Sequence, residues 1–121
     1  MLGYMTLGTN NLEAAGKFYD AIAAELGASR IMQNDRMIGW GRKGAASLMV
    51  CKPYDGQPAT VGNGVMPALV APSREAVDKA YKVALANGAK DEGAPGERMP
   101  TFYGAYFRDP DGNKVAVFHM G

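Results

Sequence analysis

Few side chains in this sequence could do chemistry, and those few are scattered. His119 is the only histidine and Cys51 the only cysteine. An imidazole titrates near neutrality and can serve as a ligand or general base. Without a carboxylate beside it, however, one histidine does not make a site. Cys51 follows Val50 in an apolar run with no neighbouring histidine to form a thiolate pair, which reads as a core thiol. The acids Asp20, Asp35, Asp55, Asp91, Glu92 and Asp111 fall on expected helix or loop positions and read as solvated faces. Asp109 and Asp111 superficially suggest a calcium loop, but Asp109-Pro110-Asp111-Gly112 is far shorter than a twelve-residue ligand loop and reads as a turn. There is no serine nucleophile elbow, phosphate loop or dinucleotide fingerprint.

The elements that would carry these residues are short. Leu2–Leu7 is an apolar strand. Asn11 then stands as an N-cap with Glu13 in the first turn, and Leu12, Ala15, Tyr19, Ile22 and Leu26 form the stripe of an amphipathic helix that ends at Gly27. Three strands are expected at residues 30–33, 37–41 and 46–52, linked by Asn34-Asp35 and Lys43-Gly44. The same order then starts again. Gly64–Ala71 is a strand, and Ser73 caps a helix whose apolar face is Val77, Tyr81, Ala84 and Leu85 and whose end is Gly88. Residues 89–101 hold two prolines and two glycines and promise one weak strand at most. Tyr103–Arg108 and Lys114–Met120 are the last two strands. Asn11 and Ser73 lie 62 positions apart and Gly27 and Gly88 61, and a Gly-Ala pair follows each helix. Nearly one spacing at several landmarks argues for an internal repeat, against the plainer account of two helices capped by common residues.

The chain has 121 residues with 47% hydrophobic residues, enough for one compact domain with a core. Thirteen basic and twelve acidic residues leave a formal charge of +1 without a basic run, so neither nucleic acid nor a membrane surface is expected as partner. A lone cysteine, no signal-peptide pattern and no long apolar stretch make the cytoplasm the expected location.

Three segments carry a family resemblance: LGTNNLEAAGKFYDAIAAELGA with its Phe18-Tyr19 pair, PSREAVDKAYKVALANGA in the middle, and YGAYFRDPDGNKVAVF with its Asp-Pro-Asp-Gly-Asn turn. In this order the chain resembles the vicinal oxygen chelate superfamily of glyoxalase I, bleomycin resistance proteins and extradiol dioxygenases, over residues 2 to 119. The resemblance implies an α+β fold of two βαβββ units, at 2–52 and 64–119 of a single 1–121 domain, whose half-open sheets enclose a cleft. It also implies a homodimer. Metal-dependent relatives take ligands from the first and last strands of each unit. Carried over, those positions are Tyr4, Leu48, Met66 and Ala116, none of which is an ordinary ligand for a hard divalent ion. No metal or other cofactor is therefore expected. The cleft of that fold would be apolar and aromatic, with Tyr4, Trp40, Leu48, Met66, Phe102, Tyr103, Tyr106 and Ala116 in its walls. The leading reading is metal-independent binding of a small organic ligand. The alternatives are a glyoxalase I-like lyase or dioxygenase-type metalloenzyme with atypical ligands, or a domain used for association.

Overall fold

A computed structural model describes residues 1–121. Strand β1 (Tyr4–Gly8) leads into helix α1 (Leu12–Glu25), followed by β2 (Ser29–Gln33), β3 (Met37–Gly41) and β4 (Ser47–Cys51). After a linker come β5 (Ala68–Val70), α2 (Arg74–Ala86), β6 (Lys90–Met99), β7 (Phe102–Arg108) and β8 (Lys114–Met120). The first unit forms a sheet in the order β1-β4-β3-β2 and the second a sheet in the order β5-β8-β7-β6. The two orders are the same once the repeat is allowed for: the first strand of each unit lies parallel to the last, and the remaining pairs are antiparallel.

Both helices start as their caps dictate. Asn11 Oδ1 accepts from the Ala14 amide at 3.0 Å and Ser73 Oγ from the Ala76 amide at 3.1 Å. Both end where glycine takes a left-handed conformation, with φ of +71° at Gly27 and +101° at Gly88. Each helix packs on one face of its own sheet, and the two helices pack on each other. One contiguous core fills the space between, with Phe18, Tyr19, Ile22 and Val50 from the first unit and Val77, Phe107, Val115 and Val117 from the second. Leu85 does not join it: Ala76, Val77, Ala80 and Ala84 form the buried stripe of α2, and Leu85 turns outward. Small residues dominate that stripe, which lets the helix lie close to its sheet.

Two expectations on strand extent need correction. The strand expected at 64–71 shrinks to Ala68–Val70, because the Gly62–Val65 stretch turns back on itself. The stretch at 89–101 is a ten-residue strand rather than a weak one. Its pairing with β7 shifts register three times, and those irregularities absorb Gly93, Pro95 and Gly96. As the edge of the sheet, β6 tolerates a proline that cannot donate to a ladder. Asp91 and Glu92 accordingly lie on a strand, not in a loop.

A polar seam joins the units. The Tyr19 hydroxyl donates to Asp109 Oδ2 at 2.6 Å, and Asn113 Nδ2 donates to the Gly8 carbonyl at 2.9 Å. Thr9 Oγ1 and the Asn10 amide both donate to the Asp111 carboxylate. The Asp-Pro-Asp-Gly turn thus does more than reverse the chain: its two carboxylates bolt the second unit to the first.

Candidate functional site

Each sheet has one face under its helix and one face with no helix over it. Alternation along the strands decides which side chains go where. In β4, Leu48 and Val50 are buried toward α1, while Ser47, Met49 and Cys51 turn to the open face. In β3, Ile38 and Trp40 face the helix. In β8, Val115 and Val117 face α2, and Lys114, Ala116 and Phe118 alternate with them. In β7, Ala105 and Phe107 go inward, and Phe102, Gly104, Tyr106 and Arg108 share the open face with their β8 partners.

The eight residues expected to line one cleft are therefore divided. Tyr4 stands on the open face of the first sheet, 61% exposed. Phe102 and Tyr106 stand on the open face of the second, and Ala116 points the same way but is buried, 1% exposed. Met66 lies outside any strand, in the linker beside Arg108 and Lys114, where Val61–Val65 complete a shallow groove. Trp40, Leu48 and Tyr103 are on the other side. Trp40 is buried against Tyr19 and donates Nε1–H to Asp20 at 2.8 Å. With Leu48 it lines an apolar cavity of about 240 Å³ between α1 and the first sheet, reaching Pro67–Val70. The Tyr103 hydroxyl donates to Asp78 of α2 at 2.6 Å, and Arg74 lies over its ring.

Leu48 needs a further correction. Ala116 pairs with Ala68, and Met49 pairs with Thr6, the residue one repeat before Ala68. The first-unit counterpart of Ala116 is hence Met49. A count that is one residue out on a strand moves a side chain to the opposite face. Met49 lies on the open face with its sulfur over Gly39, which has no room for a Cβ.

The donor set at the corresponding centre is then a phenol, two thioethers and a methyl group, from Tyr4, Met49, Met66 and Ala116. Divalent zinc, nickel or iron needs several imidazoles or carboxylates. Nowhere in the protein do three or more His, Cys, Asp or Glu side chains converge. These residues do not fit the metal that the fold implies. His119 is committed elsewhere, with Nδ1 2.9 Å from the Ala71 carbonyl, and Cys51 is a half-buried free thiol.

The open face of the second sheet carries most of what sequence reasoning missed. Phe102 and Phe118 stack with ring centroids 5.2 Å apart and planes within 5°. Arg98 lies over Tyr106 at 5.3 Å from its ring centroid, and Lys114 is 5.9 Å from the same ring. The signal for Phe118 and Lys114 was present, since both fall two positions from Ala116 on a strand.

A model of the Glyoxalase/Bleomycin resistance protein/Dioxygenase superfamily matches residues 1–117. The chain belongs to that superfamily. Among solved structures, a glyoxalase/bleomycin resistance protein from Albidiferax ferrireducens T118 is 38% identical, with a TM-score of 0.93 over 100% of this chain and 99% of that one. A glyoxalase/bleomycin resistance protein/dioxygenase family enzyme from Burkholderia phytofirmans PsJN is 22% identical, with a TM-score of 0.78 over 98% of each chain. The second likeness is one of fold alone. No curated protein matches the chain in sequence. The expected α+β architecture of two βαβββ units is what these relatives share with it. No helix of this superfamily member is long and apolar enough to cross a membrane.

Proposed function

We propose that this protein binds a small, partly aromatic organic molecule on the open faces of its sheets, without a divalent metal. The observation that carries the reading is the aromatic floor of Phe102, Phe118 and Tyr106 on a sheet face that no helix covers. Large rings left half-exposed side by side are a surface for another planar group. The donor set supports the metal-free half of the proposal, since a divalent ion gives up hydration that Tyr4, Met49, Met66 and Ala116 cannot replace. Tyr4 and Met66 keep their place in it as walls of the cleft, whereas Trp40, Leu48 and Tyr103 support those walls from behind.

The proposal includes a second copy of the chain. β1 and β5 each pair on one side only, and Leu2, Tyr4, Val70 and Met120 are exposed on or beside the free edges and open faces. Exposed edges and apolar patches of this kind call for cover. A homodimer that sets β1 of one copy beside β5 of the other would wall the open faces into a cleft. A reducing compartment such as the cytoplasm suits the unpaired Cys51.

The test is a thermal-shift screen of small aromatic compounds in the presence of EDTA, repeated on Phe118→Ala. Stabilisation that survives EDTA and falls in the variant supports the proposal. Stabilisation that needs added metal, or that is unchanged in the variant, overturns it.

A further inference from the structure

The charges on the two open faces differ. The first sheet turns Tyr4, Thr6, Met37, Gly39, Ser47 and Met49 outward, none of them charged. The second turns out Arg108 and Lys114, and Arg98 folds from β6 across the same face onto Tyr106. Only one carboxylate answers them: Glu92 lies 3.0 Å from Arg108 Nε and 3.9 Å from Lys114 Nζ. Arg98 pairs with no carboxylate; its guanidinium donates to the Ala94 carbonyl at 2.6 Å and rests on the Tyr106 ring. Glycine holds that arrangement open. A Cβ at Gly93 would meet Arg98 at 3.3 Å and Tyr106 at 3.0 Å, and one at Gly96 would meet Arg98 at 2.8 Å. Three cations and one anion around a tyrosine ring leave a positive excess beside the stacked Phe102–Phe118 pair.

We infer that the ligand of this face is a planar organic anion, with its ring on the Phe102–Phe118–Tyr106 floor and its carboxylate or phosphonate against Arg98 and Lys114. This rests on the ligand-binding reading above and names the class of molecule that reading leaves open. A guanidinium lacking a carboxylate keeps its donors for one from outside, and its planar fork suits a carboxylate or phosphonate in two-point contact. Arg108, held by Glu92 and by the Gly112 carbonyl, contributes charge more than contact. A cationic ligand would meet like charge at each of the three positions and is excluded from this floor.

The experiment uses three probes with one ring system: 2-naphthoate, 2-naphthamide and 2-naphthylmethylammonium. Binding is followed by calorimetry to the full chain and to Arg98→Gln, with inorganic phosphate as a fourth titrant. The anion is expected to bind about tenfold more tightly than the amide, as one charge-assisted contact on a part-exposed surface gives. Arg98→Gln is expected to erase that difference, and raising the salt is expected to weaken only the anion. Equal affinity for acid and amide, or tighter binding of the ammonium, overturns the inference while leaving the ligand-binding reading intact. So does phosphate that binds as well as naphthoate, since the ring then contributes nothing. Failure of all the naphthyl probes to bind overturns the ligand-binding reading and the inference with it. Circular dichroism of Arg98→Gln, expected to match the parent, separates lost recognition from lost fold.

Discussion

Replacing Tyr19 by phenylalanine tests whether the polar seam couples the two units. The Tyr19 ring is buried against Phe18, at 4.9 Å between centroids, and the substitution leaves that packing in place. What goes is one donor to Asp109, a carboxylate only 4% exposed. Asp109 keeps the Asp111 amide at 3.0 Å, the Asn113 amide at 2.9 Å and Asn113 Nδ2 at 3.0 Å. Losing one charge-assisted bond at a buried anion costs about 1.5–3 kcal/mol. For a domain of this size that is a fall in Tm of roughly 6–12 °C, at about 4 °C per kcal/mol. The pH dependence provides a second reading. Burial, followed by the charge and hydrogen bond of Asp109, pushes the Tyr19 hydroxyl well above its ordinary pKa. The fold holds that proton more tightly than the unfolded chain does. Its contribution to stability is therefore whole below the ordinary tyrosine pKa of about 10 and is lost as pH rises beyond it. Chemical denaturation of both proteins at neutral and alkaline pH checks both points. Tyr19→Phe should be less stable at neutral pH, with a shallower alkaline decline. A loss below about 0.5 kcal/mol, the range of a neutral surface change, or an unchanged alkaline limb would refute the reasoning.

Three further outcomes follow from the same structure. Asp20→Asn weakens the bidentate contact with Arg30 and the bond from Trp40, and because that carboxylate is half exposed the cost is about 0.5–1 kcal/mol. The hydrogen bond from Arg30 holds the Asp20 carboxyl below its ordinary range, so its contribution is present above the unfolded pKa and is lost as pH falls; acid titration followed by Trp40 fluorescence should show the loss in the parent and not in the variant. Phe102→Ala, at a half-buried position on the open face, should keep the fold by circular dichroism while lowering affinity for aromatic ligands by about tenfold, as removal of one stacking partner does. Combining Tyr4→His, Met66→His and Ala116→Glu should create binding of Zn²⁺ measurable by calorimetry, and adding Met49→Glu should tighten it, because Met49 and not Leu48 faces the same side as Ala116.

The features most legible in the sequence were those that local chemistry decides. Asn11 and Ser73 announce helix starts by side-chain type, Gly27 and Gly88 announce the ends, and their common spacing gives the repeat. The faces of the strands were harder. A run such as Leu48–Cys51 is apolar throughout, so nothing in its composition tells Leu48 from Met49; the register against β1 decides it. By residue type Trp40 and Tyr103 suit a ligand cleft, but each has a polar tip that finds its partner on a helix, Asp20 and Asp78. The strand β6 was obscured because its glycines and proline sit in bulges, which sequence patterns read as loop. Arg98 was invisible as a site residue for the same reason: it reaches Tyr106 only through that irregular strand. Asp109–Gly112 is legible as a turn, yet its service to the other unit depends on contacts 90 or more residues away in sequence, such as Tyr19 with Asp109 and Thr9 with Asp111.

The central claim, that this superfamily member binds its ligand without a metal, is tested most directly by elemental analysis of protein purified without chelator, on the parent and on the Tyr4→Ala, Met66→Ala double variant. The expected result is metal far below one ion per chain in both, with aromatic-ligand binding by the parent unaffected by EDTA. Stoichiometric Zn²⁺, Ni²⁺ or Fe²⁺ in the parent, lost in the double variant, would contradict the account and make the open face a metal centre.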